Sequence, residues 1–412
     1  MSDVTKNRST SICSKGADRV ERWLVISNEA TNSGAPRMLL EVLRGVQAVR
    51  GPGWSCEILL RRGGVLSEEF ASFGPVHQLS QPWADGLAFR AKVLRALIDR
   101  PWMQPRRLAG WVSQWQREGF DLVYNNTGTN GFVVPALRRL GCPILTHVHE
   151  LGYSLRRFNT AISLRQTLDN TDHFLAVSSP VAQDLGECGV PDERITVASN
   201  FLSAMPPETD SRVRAVLRAK LGIAPEALVV TGCGHIDWLK GTDLFVETAA
   251  RLSGMTAKNI LYNWIGGETD AYFAWKVRRL VRRRGLEDKV CFIGPVRNPG
   301  AWFAASDVVA VTSRVESFSL VALEAAAAGR PVVGFSGARG LVSLLGDESS
   351  MLVPDYNPAA LASVVHELLR DSARAQALGQ RLRGKVATEF LAGPRIAALL
   401  SVVDKIQRNR TI

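Results

Sequence analysis

Two glutamates, Glu316 and Glu324, stand eight residues apart in the stretch SRVESFSLVALEAAAAGRPVVGF (313–335), which is otherwise almost wholly apolar. A carboxylate accepts hydrogen bonds from hydroxyl groups, often two at once. Between them, Ser317 and Ser319 are natural N-caps for a helix running through SLVALEAAAAG, stopped by Gly329 before Pro331 opens the next strand. A helix that begins just after a strand offers unpaired amides, here those of Phe318 and Ser319, and the positive end of its dipole to an anion.

Three further stretches carry chemistry. In GHIDWLKGTDLFVETAARL, Lys240 and Gly241 close a loop ahead of an amphipathic helix with apolar positions at 244, 245, 249 and 252. Taken alone, a lysine ahead of a helix is most often a solvated charge. In THVHE (146–150), strand alternation puts His147 and His149 on one face. Metal binding by such a pair needs three or four ligands, and no second cluster accompanies it, so no metal is expected and His147 reads as a core residue. In SNEATNSGAPRMLLEVLRGV a small polar loop containing Gly34 precedes a helix. Phosphate on the amides at the start of the helix after Ser317, with sugar hydroxyls on the carboxylates of Glu316 and Glu324, describes a nucleotide-sugar.

The elements that must position these residues alternate along the chain. Strand-like runs fall at 23–27, 56–60, 121–125, 143–148, 173–178 and 195–199, then at 227–234, 260–267, 289–296, 307–313, 331–336 and 351–354, with helical patterns between them. This is the α/β signature of two doubly wound parallel sheets. With 412 residues the chain is too long for one ordinary core. The Pro-Pro pair in NFLSAMPPETDSR (200–212) marks the linker. The division expected is a disordered tail over 1–18, a first domain over 19–205, a second over 206–388, and a last helix over 389–412 packing back on the first domain. Ligands of open parallel sheets sit at the carboxyl ends of the strands, so two such domains face each other across a cleft.

Fifty Lys and Arg against 39 Asp and Glu give a net charge of +11, which favours a negatively charged partner: a phosphorylated substrate, an anionic membrane surface or nucleic acid. No apolar run approaches a membrane span and the polar N-terminus is no secretory signal, which predicts a cytoplasmic protein. Six cysteines scattered singly, at 13, 56, 142, 188, 233 and 291, read as reduced and structural. From 83 to 115, Leu87, Ala91, Leu94 and Ile98 form one helical stripe and Leu108, Trp111, Val112 and Trp115 another, beside several arginines. Tryptophan next to arginine suits a membrane interface at the inner face of the cell membrane, and equally suits helices packed on a sheet. The basic run KVRRLVRRRG (276–285) reads as an exposed helix.

With Glu316, Glu324 and the following AAAAGRPVV, the sequence resembles the retaining glycosyltransferases of family 4 (glycosyl transferases group 1), whose fold is GT-B and whose hallmark is two glutamates separated by seven residues. The resemblance implies that Glu324 binds the donor ribose, that Glu316 and His149 orient the donor sugar at the reaction centre, and that Lys240 neutralises the diphosphate. It also implies that Gly34, Gly234, His235, Ser317, Phe318 and Ser319 line the donor site. The donor would be a UDP- or GDP-linked sugar, the acceptor a glycan or lipid-linked chain of a bacterial envelope, and no cofactor or metal would be needed. The sequence departs from the family at His235, where arginine is usual, at Ser317 and Ser319, often glycines, and in SGARGL (336–341), which lacks a frequent glutamate. Two rivals are a non-catalytic member of the same fold and a basic nucleic-acid-binding protein; against the latter, no recognition motif or aromatic stacking platform accompanies the basic clusters.

Overall fold

A computed structural model describes residues 19–80 and 103–409. The expected tail over 1–18 and the first helical stripe of 83–115 lie outside these residues. The chain builds two parallel sheets. The first contains β1 (Glu21–Glu29), β2 (Trp54–Arg62), β3 (Val76–Ser80), β4 (Leu122–Asn125), β5 (Ile144–Val148), β6 (His173–Ala176) and β7 (Ile195–Val197), in the order β3-β2-β1-β4-β5-β6-β7. The second contains β8 (Leu228–Cys233), β9 (Ile260–Ile265), β10 (Val290–Gly294), β11 (Val308–Val311), β12 (Val332–Phe335) and β13 (Leu352–Val353), in the order β10-β9-β8-β11-β12-β13.

Central strands such as WLVI (23–26) and VVAV (308–311) are buried along their whole length because helices cover both faces of each sheet. The strand order reverses between β1 and β4 in the first sheet and between β8 and β11 in the second. A crevice opens outside the carboxyl ends of the strands at each reversal.

The chain crosses between lobes twice, and the two crossings lie side by side. Leu202 N–H donates to the Phe390 carbonyl at 2.8 Å, and Ala392 N–H to the Leu202 carbonyl at 3.0 Å. The final helix, Ala392–Arg408, then lies against the first-lobe helix Gly34–Arg50. Its residues Ile396, Leu399, Leu400 and Val403 complete the first lobe's core. Full burial of four such side chains contributes on the order of 1.5–3 kcal/mol each, so the chain's end holds its beginning in place.

The helix Met103–Glu118 decides between the two readings of its tryptophan stripe in favour of packing on the sheet. Trp115 is fully buried: its indole N–H donates to Glu57 Oε2 at 3.0 Å and its ring meets His77 edge-on. Leu108 and Val112 are buried beside it and Trp111 packs partly on the same cluster. This tryptophan stripe is core, because strand β3 supplies a surface for it that the local pattern does not reveal. No helix among the described residues is long and apolar enough to cross a membrane.

Candidate active site

Every residue singled out for chemistry lies at or beside a carboxyl end of one of the two sheets. On the second lobe, the loop after β8 carries Gly234, His235 and Lys240, and the loop after β11 carries Glu316 to Ser319. Lys240 Nζ donates to Glu316 Oε2 at 2.9 Å, and Ser313 Oγ donates to the same oxygen at 2.9 Å. Burial by itself would depress the Lys240 pKa, but the adjoining Glu316 carboxylate, with Asp237 and Cys233, outweighs it and the net shift is upward. Lys240 is therefore an ammonium at any working pH. Its side chain keeps 32% of its surface open, enough to meet a second anion.

The turn that aims this lysine depends on glycine at two points. Gly241 has φ +64°, and a Cβ there would lie 2.0 Å from the Thr312 carbonyl oxygen. Gly234 has φ +147°, and a Cβ there would press on the Lys240 stem at 2.9 Å. Gly241→Ala is expected to destabilise the chain by at least ~2 kcal/mol, combining left-handed strain with a backbone clash. A denaturation midpoint unchanged from the parent would remove this account of the turn.

Ser319 caps the helix Leu320–Ala327, its hydroxyl accepting from Ala322 N–H at 3.2 Å. Phe318 turns inward and packs on Phe390, ring centroids 5.8 Å apart, so only its backbone remains for a ligand. The Ser317 carbonyl accepts from the Ser178 hydroxyl of the first lobe at 2.6 Å. His235 is exposed, and among the described residues its ring has no hydrogen-bond or ion-pair partner.

Glu324, inside the helix, forms an ion pair across the cleft with Arg37 Nη2 at 3.0 Å. Burial pushes its carboxyl above the usual range, and Arg37 only partly opposes the shift. Cys233, at the end of β8, is raised to about 12 by burial and by the charge of Glu324, with Lys240 and Arg37 acting in the opposite direction. The inner glutamate, the lysine and the arginine thus surround one point in the crevice. Gly34 begins the first-lobe helix within reach of the same place: a Cβ on it would lie 3.7 Å from Leu320 Cδ1. Two helix starts from opposite lobes face each other there.

The first lobe brings His149 to the same end of its sheet, just past β5. Asn126 donates through Nδ2 to the Ala35 carbonyl at 3.0 Å, which turns its Oδ1 toward His149 Nε2 at 3.0 Å. Nε2 therefore carries the proton and Nδ1 is left as an acceptor. Burial, reinforced by the neighbouring His147, holds the His149 pKa well below the usual value. The imidazole is neutral. His147 is a core residue, bonded to Tyr124 OH at 2.7 Å and depressed by burial to about 4. Glu150 accepts from Gly128 N–H at 3.0 Å, His149 N–H at 3.1 Å and the Thr127 hydroxyl, and so ties the loops after β4 and β5 together. Among the described residues no group of three His, Cys, Asp or Glu side chains is arranged to hold a metal ion.

Arg37, Asn126 and Glu150 were not foreseen. Asn126 could have been found from the strand order, because NNTGTN follows the strand at the first sheet's reversal point.

Two parallel-sheet lobes meeting over paired crevices define the GT-B architecture. The chain belongs to the glycosyl transferases: a model of Glycosyltransferase Family 4 matches residues 34–204, and one of Glycosyl transferases group 1 matches residues 227–371. The D-inositol 3-phosphate glycosyltransferase of Salinispora arenicola is 31% identical over 355 residues, covering 80% of this chain and 75% of that protein. The protein of the same name from Jonesia denitrificans is 34% identical over 209 residues, and there the match spans 50% of this chain and 49% of the relative. Among solved structures, Anabaena HepE in complex with UDP and glucose superimposes with a TM-score of 0.76 over 93% of this chain and 99% of its own, at 18% identity.

Proposed function

We propose that the protein is a retaining, metal-independent glycosyltransferase that moves a sugar from a UDP-linked donor to a hydroxyl of a ring polyol. The observation that carries this reading is the convergence of Lys240, Glu324 and two helix starts on one crevice between the lobes. A diphosphate placed there meets Lys240 Nζ and the amides around Phe318 and Ser319. The ribose hydroxyls donate to Glu324, and the sugar lies between Glu316 and the bare Nδ1 of His149. As the bond from the sugar carbon to the diphosphate oxygen breaks, its electron pair goes to the phosphate, the acceptor hydroxyl oxygen bonds the same carbon on the same face, and the hydroxyl proton passes to the departing phosphate oxygen. The protein contributes preorganised charge that meets this electron pair as it arrives. Lys240 takes the part that a metal ion plays in other transferases.

Uridine, chosen over guanosine, is supported by the UDP in the Anabaena structure. For the acceptor, the names of the relatives support a phosphorylated inositol ahead of a lipid-linked or polysaccharide chain. Tyr153 of the first lobe and Trp238 of the second, each 46% exposed and with rings 6.2 Å apart, offer apolar faces to such a ring where the lobes approach.

Calorimetric titration with UDP and GDP, followed by UDP release from UDP-sugars in the presence of inositol 3-phosphate or a glycan acceptor, tests the reading. Micromolar UDP binding and acceptor-dependent release are expected. Tighter binding of GDP would overturn the base, and release stimulated by the glycan alone would overturn the acceptor. Salt-sensitive DNA binding with no nucleotide affinity would return the protein to the non-catalytic class.

A further inference from the structure

At the opposite end of the second sheet from the cleft lies a cavity of about 280 Å³. Its walls include Leu228 at the start of β8, Asp307 just before β11 and Pro331 just before β12. A six-residue strand rises about 3.3 Å per residue, so roughly 17–20 Å separates the cavity from the donor crevice.

The charges around the cavity do not balance. Arg214 and Arg330 line it with Asp307, and Arg218 reaches the same carboxylate from behind. Arg214 Nη2 holds Asp307 Oδ1 at 2.7 Å and Arg218 Nη1 lies 3.5 Å from Oδ2, so both carboxylate oxygens are taken. The hydrogen bond recorded for Arg330 runs from Nε to the Ala328 carbonyl at 3.3 Å, and among the described residues no carboxylate lies within ion-pair distance of it. Burial, then the charge of Arg214, pulls the Arg330 pKa down to about 10 despite Asp307. Among the described residues, Arg214 Nε and Arg218 Nε are buried donors without an acceptor. Two guanidinium groups therefore share one carboxylate, with the Ala305, Ser306 and Ala227 carbonyls taking some of their other N–H donors, and the Arg330 guanidinium stands beside them without a carboxylate of its own.

Two helix starts add to this surplus. Ser211 opens the helix Ser211–Lys220 and Ser372 the helix Ser372–Glu389, and both serines line the cavity. Their capping acids are committed to their own helices: Asp210 accepts from Val213 N–H at 2.7 Å and Asp371 from Arg374 N–H at 2.9 Å.

We propose that this cavity binds the phosphate group of a small phosphorylated metabolite, at a site separate from the donor crevice. A tetrahedral dianion accepts from a guanidinium in two parallel bonds and from several serine hydroxyls at once. The volume suits a phosphomonoester of a small polyol and is too small for a nucleotide-sugar. The site does not depend on the donor reading, since it shares no residue with the cleft.

The test is thermal melting of the full chain in saturating UDP, titrated with inorganic phosphate at ionic strength held constant with chloride. Phosphate is expected to raise the melting temperature of the wild type and of Glu324→Gln alike. Arg330→Gln should weaken the apparent phosphate affinity at least tenfold while leaving glycosyl transfer unchanged. Gln376→Glu, at an exposed position on the cavity wall, should do the same by repulsion and serves if Arg330→Gln folds poorly. No phosphate response, a response retained in both cavity variants, or one lost in Glu324→Gln would each overturn the proposal.

Discussion

Lys240→Met is expected to lower kcat by a factor of about 100 to 1,000, which corresponds to about 2.7–4 kcal/mol of lost transition-state stabilisation. Methionine keeps much of the stem that packs over Gly234 and removes only the charge. The Glu316 carboxylate then loses its ammonium partner and retains the Ser313 hydroxyl at 2.9 Å. The group left behind is Glu316, whose side chain is only 9% exposed, so removing its ammonium partner costs about 3 kcal/mol of stability, close to the cost of stranding a buried ion. The rate is therefore compared per folded molecule, and Glu316→Gln in the same chain should recover the stability. Steady-state rates and UDP titration separate the two roles of the lysine. If it acts on the diphosphate, UDP affinity drops with the rate, and Lys240→Met/Glu316→Gln is no better than the single variant. Recovery of activity in that double variant would mean that the lysine serves only to hold Glu316.

The parts of this site that can be read in the sequence are those encoded within one segment. Glu316 and Glu324 stand out because charges are rare in an apolar strand-turn-helix run, and Lys240 because it precedes a glycine and an amphipathic helix. The same locality made the central strands legible. Strand β3 was missed: in VHQLS a histidine and a glutamine interrupt the apolar run, as an edge strand with one sheet neighbour allows. Trp115 shows a choice that the local pattern leaves open. Its helical stripe was plain, but what covers a stripe depends on tertiary neighbours, here His77, Phe120 and the Glu57 carboxylate. Arg37 was illegible for a stronger reason. Its partner Glu324 lies 287 residues away on the other lobe, so the pair exists only once both crossings between the lobes have set their relative position.

That ion pair governs the second large effect, expected from Glu324→Gln. Two ribose hydroxyls donate to an ionised carboxylate, whereas a glutamine side chain has one acceptor oxygen and no charge. Losing one charge-assisted bond costs about 1.5–3 kcal/mol, so donor KM should rise roughly 10- to 150-fold while kcat falls less. The carboxyl's raised pKa fixes the pH dependence. Only the ionised form accepts both hydroxyls, so wild-type kcat/KM for the donor should fall on acidification at a pH above the ordinary carboxylate range, and the variant should lack that limb. Stability runs the other way. A carboxyl whose folded pKa is raised contributes stability that is complete below its unfolded value and is lost as pH rises through the folded value. Glutamine mimics the neutral form, so Glu324→Gln should melt no lower than the wild type at neutral pH; Arg37, 40% exposed, is resolvated by water when its partner is gone. Arg37→Met supplies the check on sign. Arg37 opposes the upward shift, so removing it lets burial push the Glu324 carboxyl higher and moves the acid limb of kcat/KM to higher pH. A limb that stays in place in Arg37→Met, or that survives in Glu324→Gln, would assign the titration to another group and take the ribose contact away from this glutamate.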